Sequence, residues 1–347
     1  MQTINTIQLE QLVTSLCLTG KVEAETPVMV AGPPGCGKTE TIRGAAHLAG
    51  YTVKVFHPVV SDPTDFKGFP WINKESGKAS FVPFGEFGEL LDATEPTLAL
   101  FDDLGHAPKA VQGTLMQPFF ARTLNGHKIS DKVRFAAATN RRGDKAGVEG
   151  IIDPLISRCL VYELAPDLDS FLAYWVKAGH RPEVLAFLRV FPQHLYTPKK
   201  SADIENYPCY RTWEFASKIL GRELPQGLEL VALTGAVGQG VAGEFHAYLK
   251  LYREIPDPDE ILKDPTKGKV PTKADILYAL CAALAYRTTV KTFPAVAQYT
   301  ERMVKEGREE MAVYLLGDAL RRCPDVRNSK DCAKVLSGKL GSLLLNE

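Results

Sequence analysis

The sequence predicts an α/β protein: a core built on a parallel sheet, then an all-α block, then an α-helical C-terminal extension. Three observations predict it. Short apolar runs alternate with helical patterns through the first half of the 347-residue chain, as parallel strands joined by crossover helices do. The run Val28–Ala31 leads into Gly32-Pro33-Pro34-Gly35-Cys36-Gly37-Lys38-Thr39, a full G-x-x-x-x-G-K-[ST] match followed by helix-forming Glu40–Leu48. Beyond residue 165 the apolar residues recur at three and four, as in helices.

The strand–loop–helix context gives the glycine-rich stretch a chemistry. Glycines let the backbone turn its N–H groups around phosphate oxygens, and the new helix points its positive end at the same oxygens. Residues Gly32 to Thr39 and Glu40 are therefore candidate nucleotide ligands. Lys38 reaches for the β and γ phosphates, and the Thr39 hydroxyl is placed to bind Mg²⁺. Cys36 reads as a small filler in the loop rather than a redox switch. The chain binds a nucleoside triphosphate on this reading.

Bulk properties narrow the partners. Lys plus Arg and Asp plus Glu number 41 each, so the net charge is zero and nonspecific nucleic-acid binding is not favoured. Seven scattered cysteines without C-x-x-C pairs read as reduced thiols, not a disulfide frame or a zinc site. The polar start MQTINTIQLEQLV carries no secretory signal pattern, and no apolar run approaches a membrane span. A cytoplasmic protein without membrane insertion is expected.

Taken in order, residues 4–20 carry apolar residues at helical spacing and end at Gly20. Tyr51–Val55 is the second strand. Phe69–Ile72 and Ala79–Val82 flank a turn at Glu75-Ser76-Gly77 and read as a hairpin. Its aromatics Phe69, Trp71 and Phe81 are either exposed for a partner or packed in a small local core. The strand Thr97–Phe101 ends in Asp102-Asp103, the pattern of an acid that holds a metal's hydration shell and an acid that orients a water. A helix is expected over Lys109–Phe120. Asn125-Gly126 marks a second, tight hairpin between Thr123-Leu124 and Lys128-Ile129. The strand Val133–Ala138 ends at Thr139-Asn140, where a polar side chain can meet a γ-phosphate or its water. A short helix carrying Arg158 and the strand Cys159–Tyr162 close a core of five parallel strands.

Four helical segments fill residues 165–252, with Arg211 at a helix start where a cation can fold back onto phosphate. Residues 255–275, rich in Pro, Asp and Lys, read as an extended connector. The tail returns to helical patterning. The expected domains are 1–164, 165–254 and 255–347.

GPPGCGKT, LALFDDLGHAP, RFAAATN and IDPLISRC, in this order and spacing, resemble the AAA+ ring ATPases. The extra hairpin before the acidic pair, the second hairpin and the helical lid resemble the MoxR branch, within the magnesium-chelatase and helix-2-insert clade. The resemblance covers residues 1 to 250 well and the tail poorly. It implies a P-loop AAA+ core with an all-α lid, ATP and Mg²⁺ as ligands, and ATP hydrolysis. Carried over by position, Lys38 and Thr39 are the Walker A pair, Asp102 the Walker B metal acid and Asp103 the catalytic acid. Asn140 is then sensor 1, Arg158 the arginine finger acting on a neighbouring copy, and Arg211 sensor 2.

Two departures matter. The family pattern has Asp-Glu where this chain has Asp102-Asp103, one methylene shorter, and Asn-Arg where it has Gly105-His106. The resemblance also implies a ring of identical copies, six in number, and a chaperone-like remodelling of a protein client. A von Willebrand A-type partner is implied by the resemblance alone. Two other functions stand beside this one: a DNA-dependent motor or defence NTPase gripping nucleic acid through hairpins near Lys128, Lys132 and Arg134, and a weakly hydrolytic nucleotide-gated scaffold. A small-molecule kinase would leave the lid and the arginines without a role.

Overall fold

The computed structural model describes residues 1–20, 26–72, 74, 75, 77–144, 148–198, 204–338 and 341. The chain divides into two compact units. The first holds residues 1–179, 195–198 and 209–214, and the second 180–194, 199–208 and 215–347.

The first unit is organised on β1 (Gln2–Ile4), β2 (Val28–Ala31), β3 (Thr52–Phe56), β6 (Thr97–Phe101), β9 (Val133–Thr139) and β10 (Leu160–Leu164). They form one sheet in the order β1-β10-β2-β9-β6-β3, parallel throughout. The sheet thus has six strands, not five. Residues 2–4 pair with β10 instead of starting a helix. Asn5 then caps α1 (Thr6–Leu12), its side chain and that of Gln8 exchanging bonds with each other's backbone. The helix continues as a π-helical turn over Val13–Leu18.

The apolar runs alternate between two cores, as the period of two requires. Val28, Val30, Leu98, Leu100, Ala136 and Ala138 face one core, with Leu9 and Val13 of the N-terminal helical segment and Ile42 of α2 (Lys38–Leu48). Met29, Ala99, Phe101, Phe135 and Ala137 face the other. Burial on both faces is why these strands read as continuous apolar runs rather than as alternation with polar residues. In the second core Phe101 has its ring 5.3 Å from Phe56 and 5.2 Å from Phe119, and Phe119 lies 5.3 Å from Phe135.

The single helix expected over Lys109–Phe120 is two: α5 (Lys109–Thr114) and α6 (Met116–Ala121). Pro118 explains the break at Leu115, since its ring clashes with the carbonyl four residues back and it has no N–H to donate. Between β3 and β6 stand α3 (Pro63–Lys67), the hairpin β4 (Phe69–Ile72) with β5 (Ala79–Val82), and α4 (Gly85–Gly88). Ser76, placed in the expected turn, lies outside the described residues. Phe69 and Trp71 are 58% and 59% exposed, so these two do not form a local core. Phe81 is half-buried beneath the Lys67 ammonium, 4.3 Å from its ring centre. The second hairpin pairs β7 (Thr123–Leu124) with β8 (His127–Lys128). Asn125 and Gly126 both have positive φ, 48° and 86°, the tight-turn geometry that the Asn-Gly pair predicts. A short α7 (Asp153–Ile156) precedes β10, and α8 (Leu168–Lys177) follows it.

Within the second unit, α9 (Pro182–Val190), α11 (Leu228–Val237) and α12 (Gln239–Arg253) precede α13 (Pro258–Lys263), α14 (Ala274–Tyr286), α15 (Phe293–Lys305), α16 (Glu309–Arg322) and α17 (Lys330–Leu336). The helix α10 (Tyr210–Leu220) gives Tyr210–Glu214 to the first unit and its remainder to the second. Residues 255–275 are not an extended connector. Asp257 caps α13 with Pro258 at its first position, and Ile261 and Val270 enter a core with Leu280, Tyr299 and Leu316. Gly268 permits this packing, for a Cβ there would sit 2.8 Å from Ile261.

Phe101→Ala should lower the stability of the first unit by about 3–5 kcal/mol, through lost burial and a cavity that its ring neighbours fill only in part. Thermal unfolding of the variant checks this, with a fall in Tm of several degrees expected.

Candidate functional site

The carboxyl ends of the central strands bring the site together. The registers Ala31↔Thr139, Phe101↔Ala137 and Phe56↔Phe101 place the exits of β2, β9, β6 and β3 side by side. Gly32, Asn140, Asp102 and His57 follow directly. A cavity of about 480 Å³ lies there. Lys38, Thr39, Asp102, Asp103, Asn140 and Arg211 line it, as do Pro34, Gly35, Gly37 and Glu40 of the loop. The size suits a ligand of nucleotide class.

The loop is a cradle that only glycine can build. Gly35 and Gly37 hold φ of 73° and 89°. A Cβ on Gly35 would sit 2.6 Å from the Cys209 sulfur, and one on Gly32 would sit 2.8 Å from the Leu164 carbonyl oxygen. Gly37 is the N-cap of α2 and brings no capping side chain, so the first helical N–H groups face the cradle. Two contacts hold the loop from outside. The Tyr196 hydroxyl donates to the Pro34 carbonyl at 3.0 Å, and the Tyr210 N–H donates to the Gly35 carbonyl at 3.1 Å. Tyr210 is itself fixed, its hydroxyl accepting from the Asp167 N–H at 2.7 Å and its ring 4.5 Å from Phe171. Burial pushes its phenol above the usual range.

Lys38 is the buried cation of the site. Its ammonium donates to the carbonyls of Gly32 and Pro33 at 3.0 Å each and to Asn140 Oδ1 at 2.8 Å. Burial lowers its pKa, and the nearby Cys36 thiol and the Asp103 and Asp102 carboxylates act in the opposite sense. The Thr39 hydroxyl is shared between the two Asp102 oxygens at 2.9 and 3.0 Å. A hydroxyl beside a carboxylate, next to a phosphate cradle, is a donor set that suits Mg²⁺, which takes one or two protein ligands and completes its shell with phosphate and water. Among the described residues no group of three or more His, Cys, Asp or Glu could hold a metal alone. Cys36 is buried, with its thiol pushed up by burial, and packs in the core.

Asp103 has φ 54° and ψ 32°, a left-handed conformation that Asp tolerates better than most residues. Its N–H donates to Asp102 Oδ1 at 3.1 Å, and Asn140 Nδ2 lies 3.4 Å from its Oδ1. The Asn140 amide thus touches the ammonium with one end and the second acid with the other.

Arg211, Asn140 and the acids come together with the loop. Arg158 does not. It follows α7 and stacks 5.0 Å from the ring of Phe120, which is 72% exposed, while its guanidinium donates to the Pro154 carbonyl. Arg141, next to Asn140, is tied to Asp144 at 2.7 Å and Glu163 at 2.6 Å, bonds that raise its pKa further. Sequence reasoning missed Tyr196, Cys209 and Tyr210 as supports of the loop and His57, Phe171 and Tyr174 as lining residues. Only His57 had a local signal, standing at the end of a strand beside the acidic one.

Gly35→Ala should lower affinity for ATP at least tenfold, since the new methyl must displace Cys209 or distort a left-handed turn. Titration with a fluorescent ATP analogue reads this directly.

Comparison with known proteins agrees with the geometry. Residues 27–159 match the family model of the AAA domain, dynein-related subfamily. No curated protein matches the chain. Among solved structures it is similar to a RuvB variant of Thermotoga maritima at 15% identity, over 81% of this chain and 83% of that one, with a TM-score of 0.38. It is similar also to RuvB of the same organism described as a Holliday junction branch migration motor, at 15% identity over 80% and 79% with a TM-score of 0.34. NtrX of Brucella abortus matches at 15% identity over 70% and 67% with a TM-score of 0.33. Likenesses that distant say nothing of what this chain does. Residues 27–159, with their phosphate loop, parallel strands and acidic pair, match an AAA domain, and the chain has a P-loop AAA+ fold.

Proposed function

We propose that the chain is an ATP-hydrolysing ring ATPase of MoxR type that remodels or matures a protein client in the cytoplasm. The single observation that carries the hydrolytic part is the convergence of Lys38, Asn140, Asp103 and the Thr39–Asp102 pair on one cavity. Lys38 binds the β and γ phosphates of ATP. Thr39 and Asp102 would hold Mg²⁺, which when bound would neutralise phosphate charge. Asp103, held by Asn140, orients the attacking water, and Arg211 folds onto the phosphates. Arg158 lies outside the cavity of its own copy and serves the ATP of the next, so that assembly, as a hexamer, is a condition of turnover. In this reading residues 1–164 are the motor core, 165–254 the lid and 255–347 an extension.

Two features favour the branch. One hairpin stands between β3 and β6, and another immediately before β9. Exposed Phe69 and Trp71 on strand β4 give the first hairpin an apolar surface suited to a protein client, or to a von Willebrand A-type partner. The DNA-motor alternative is weaker, because Lys128 on the second hairpin is already paired with Asp131 at 2.9 Å.

The weakly hydrolytic scaffold keeps one specific observation, the short side chain of Asp103. Comparing wild-type turnover with Asp103→Glu separates the readings. A ring motor hydrolyses ATP as the wild-type chain, and the longer acid changes its kcat by only a few-fold. A scaffold is nearly silent and is woken at least tenfold by Glu. Arg158→Ala should cut kcat by about a thousandfold or more while leaving the Kd for ATP within a few-fold. Equal loss of both, or of neither, ends the proposal that Arg158 acts on a neighbour.

A further inference from the structure

We propose that His106 is a positioning residue for Asp103: its Nδ1 steadies the Asp103 carboxylate for the attacking water. The proposal rests on the ATPase reading above.

The geometry is local and fixed. Asp103 takes its left-handed turn, and Leu104–His106 follow as a single 3-10 turn in which the His106 N–H donates to the Asp103 carbonyl at 2.9 Å. That closure returns the imidazole to the acid, with Nδ1 3.8 Å from Asp103 Oδ1. The histidine side chain is 15% exposed and the aspartate 45%, so an enclosed ring faces an accessible carboxylate. Asn140 Nδ2 approaches the same oxygen at 3.4 Å. Asn140 Nδ2 and His106 Nδ1 thus both approach Oδ1, and in the Nδ1–H tautomer the imidazole would be a second donor to it.

Gly105 seats the turn against β9. Its N–H donates to Thr139 Oγ1 at 3.1 Å, and its carbonyl accepts from the Gly150 N–H at 3.2 Å. A Cβ there would meet Thr139 Oγ1 at 2.4 Å and Val148 at 3.0 Å. The turn therefore lies against the end of β9, which keeps His106 beside the acid. The separation of 3.8 Å is longer than a hydrogen bond and closes to one by a shift of under about 1 Å, as catalytic contacts do when the reacting complex assembles. A short acid has most to gain from such a neighbour. Asp lacks the methylene by which Glu reaches its water, so its carboxylate has to be aimed by what surrounds it.

Three variants test the idea. His106→Asn keeps an amide donor where Nδ1 stood. His106→Gln moves it to the position of Nε2, and His106→Ala removes it. Steady-state hydrolysis of ATP and binding of a fluorescent ATP analogue are measured on each full-length variant. The expected result is a ten- to hundredfold loss of kcat in Gln and Ala, unchanged Kd, and rescue to within a few-fold by Asn. Loss in all three alike, a parallel loss of affinity, or no loss at all overturns the positioning role. If Ala does not fold, the contrast between Asn and Gln decides alone. A wild-type chain that binds ATP without turning it over sinks the ATPase reading and this inference together, whereas an active wild type indifferent to His106 sinks only the inference.

Discussion

A charged ammonium taken out of water is the constraint on which the rest of the site depends. Lys38 has three N–H bonds to place, and a buried cation with any of them unmet is costly. The chain meets all three, with the carbonyls of Gly32 and Pro33 and with Asn140 Oδ1. The first two require the loop to fold back over the side chain, and Gly35 and Gly37 at positive φ are what permit that path. The third requires β9 to lie beside β2 in the register that sets Thr139 opposite Ala31. Strand order and loop conformation are thus both conditions for burying one amine.

The same constraint spreads outward through a single amide. Asn140 spends its oxygen on Lys38, so its nitrogen turns to Asp103. The loops after β2, β9 and β6 then behave as one polar assembly, with Thr39 and Asp102 closing a second link between the first and the last. Outside the cradle, Tyr196 and Tyr210 take the carbonyls of Pro34 and Gly35. Carbonyls engaged on the outer side leave the loop's N–H groups on the inner one, which is the polarity an anion needs.

What could be read from the sequence follows from how local the causes are. Strands buried on both faces announce themselves as apolar runs, and the loop and acidic pair announce themselves by residue type, so β2, β6, β9 and the Asn-Gly hairpin were legible. β1 was not, because the three residues Gln2, Thr3 and Ile4 carry no run of their own and are a strand only through β10. The break between α5 and α6 had its signal in Pro118, outvoted by the apolar spacing around it. The stretch 255–275 looked like linker because Pro, Asp and Lys dominate it, yet Ile261 and Val270 suffice to seat it in a core. Tyr196 and Cys209 support the loop from positions far along the chain, and no local pattern encodes that. Asp103 and His106 lay between these cases: the departure from Asp-Glu and Asn-Arg was visible, its geometric meaning was not.

Charge balance gives the proposed assembly its physical reason. A triphosphate brings about four negative charges, and Asp102 and Asp103 add two. Against them the cavity offers Lys38 and Arg211, and the Mg²⁺ that the proposed function would place at Thr39 and Asp102. Arg43 on its rim is paired with Glu40 at 3.1 Å, and Arg141 nearby is held by Asp144 and Glu163. Negative charge is therefore in excess at the moment it shifts toward the leaving oxygen, where a fixed cation is worth most. Arg158, stacked on the exposed ring of Phe120 at the surface, is a cation that this copy does not use on its own cavity. A planar guanidinium presented on an aromatic platform keeps its fork of donors aligned for a phosphate oxygen. In the proposed assembly a neighbour's cavity with the same excess of negative charge would be where such a group has its use, and hydrolysis would then depend on that neighbour being in place.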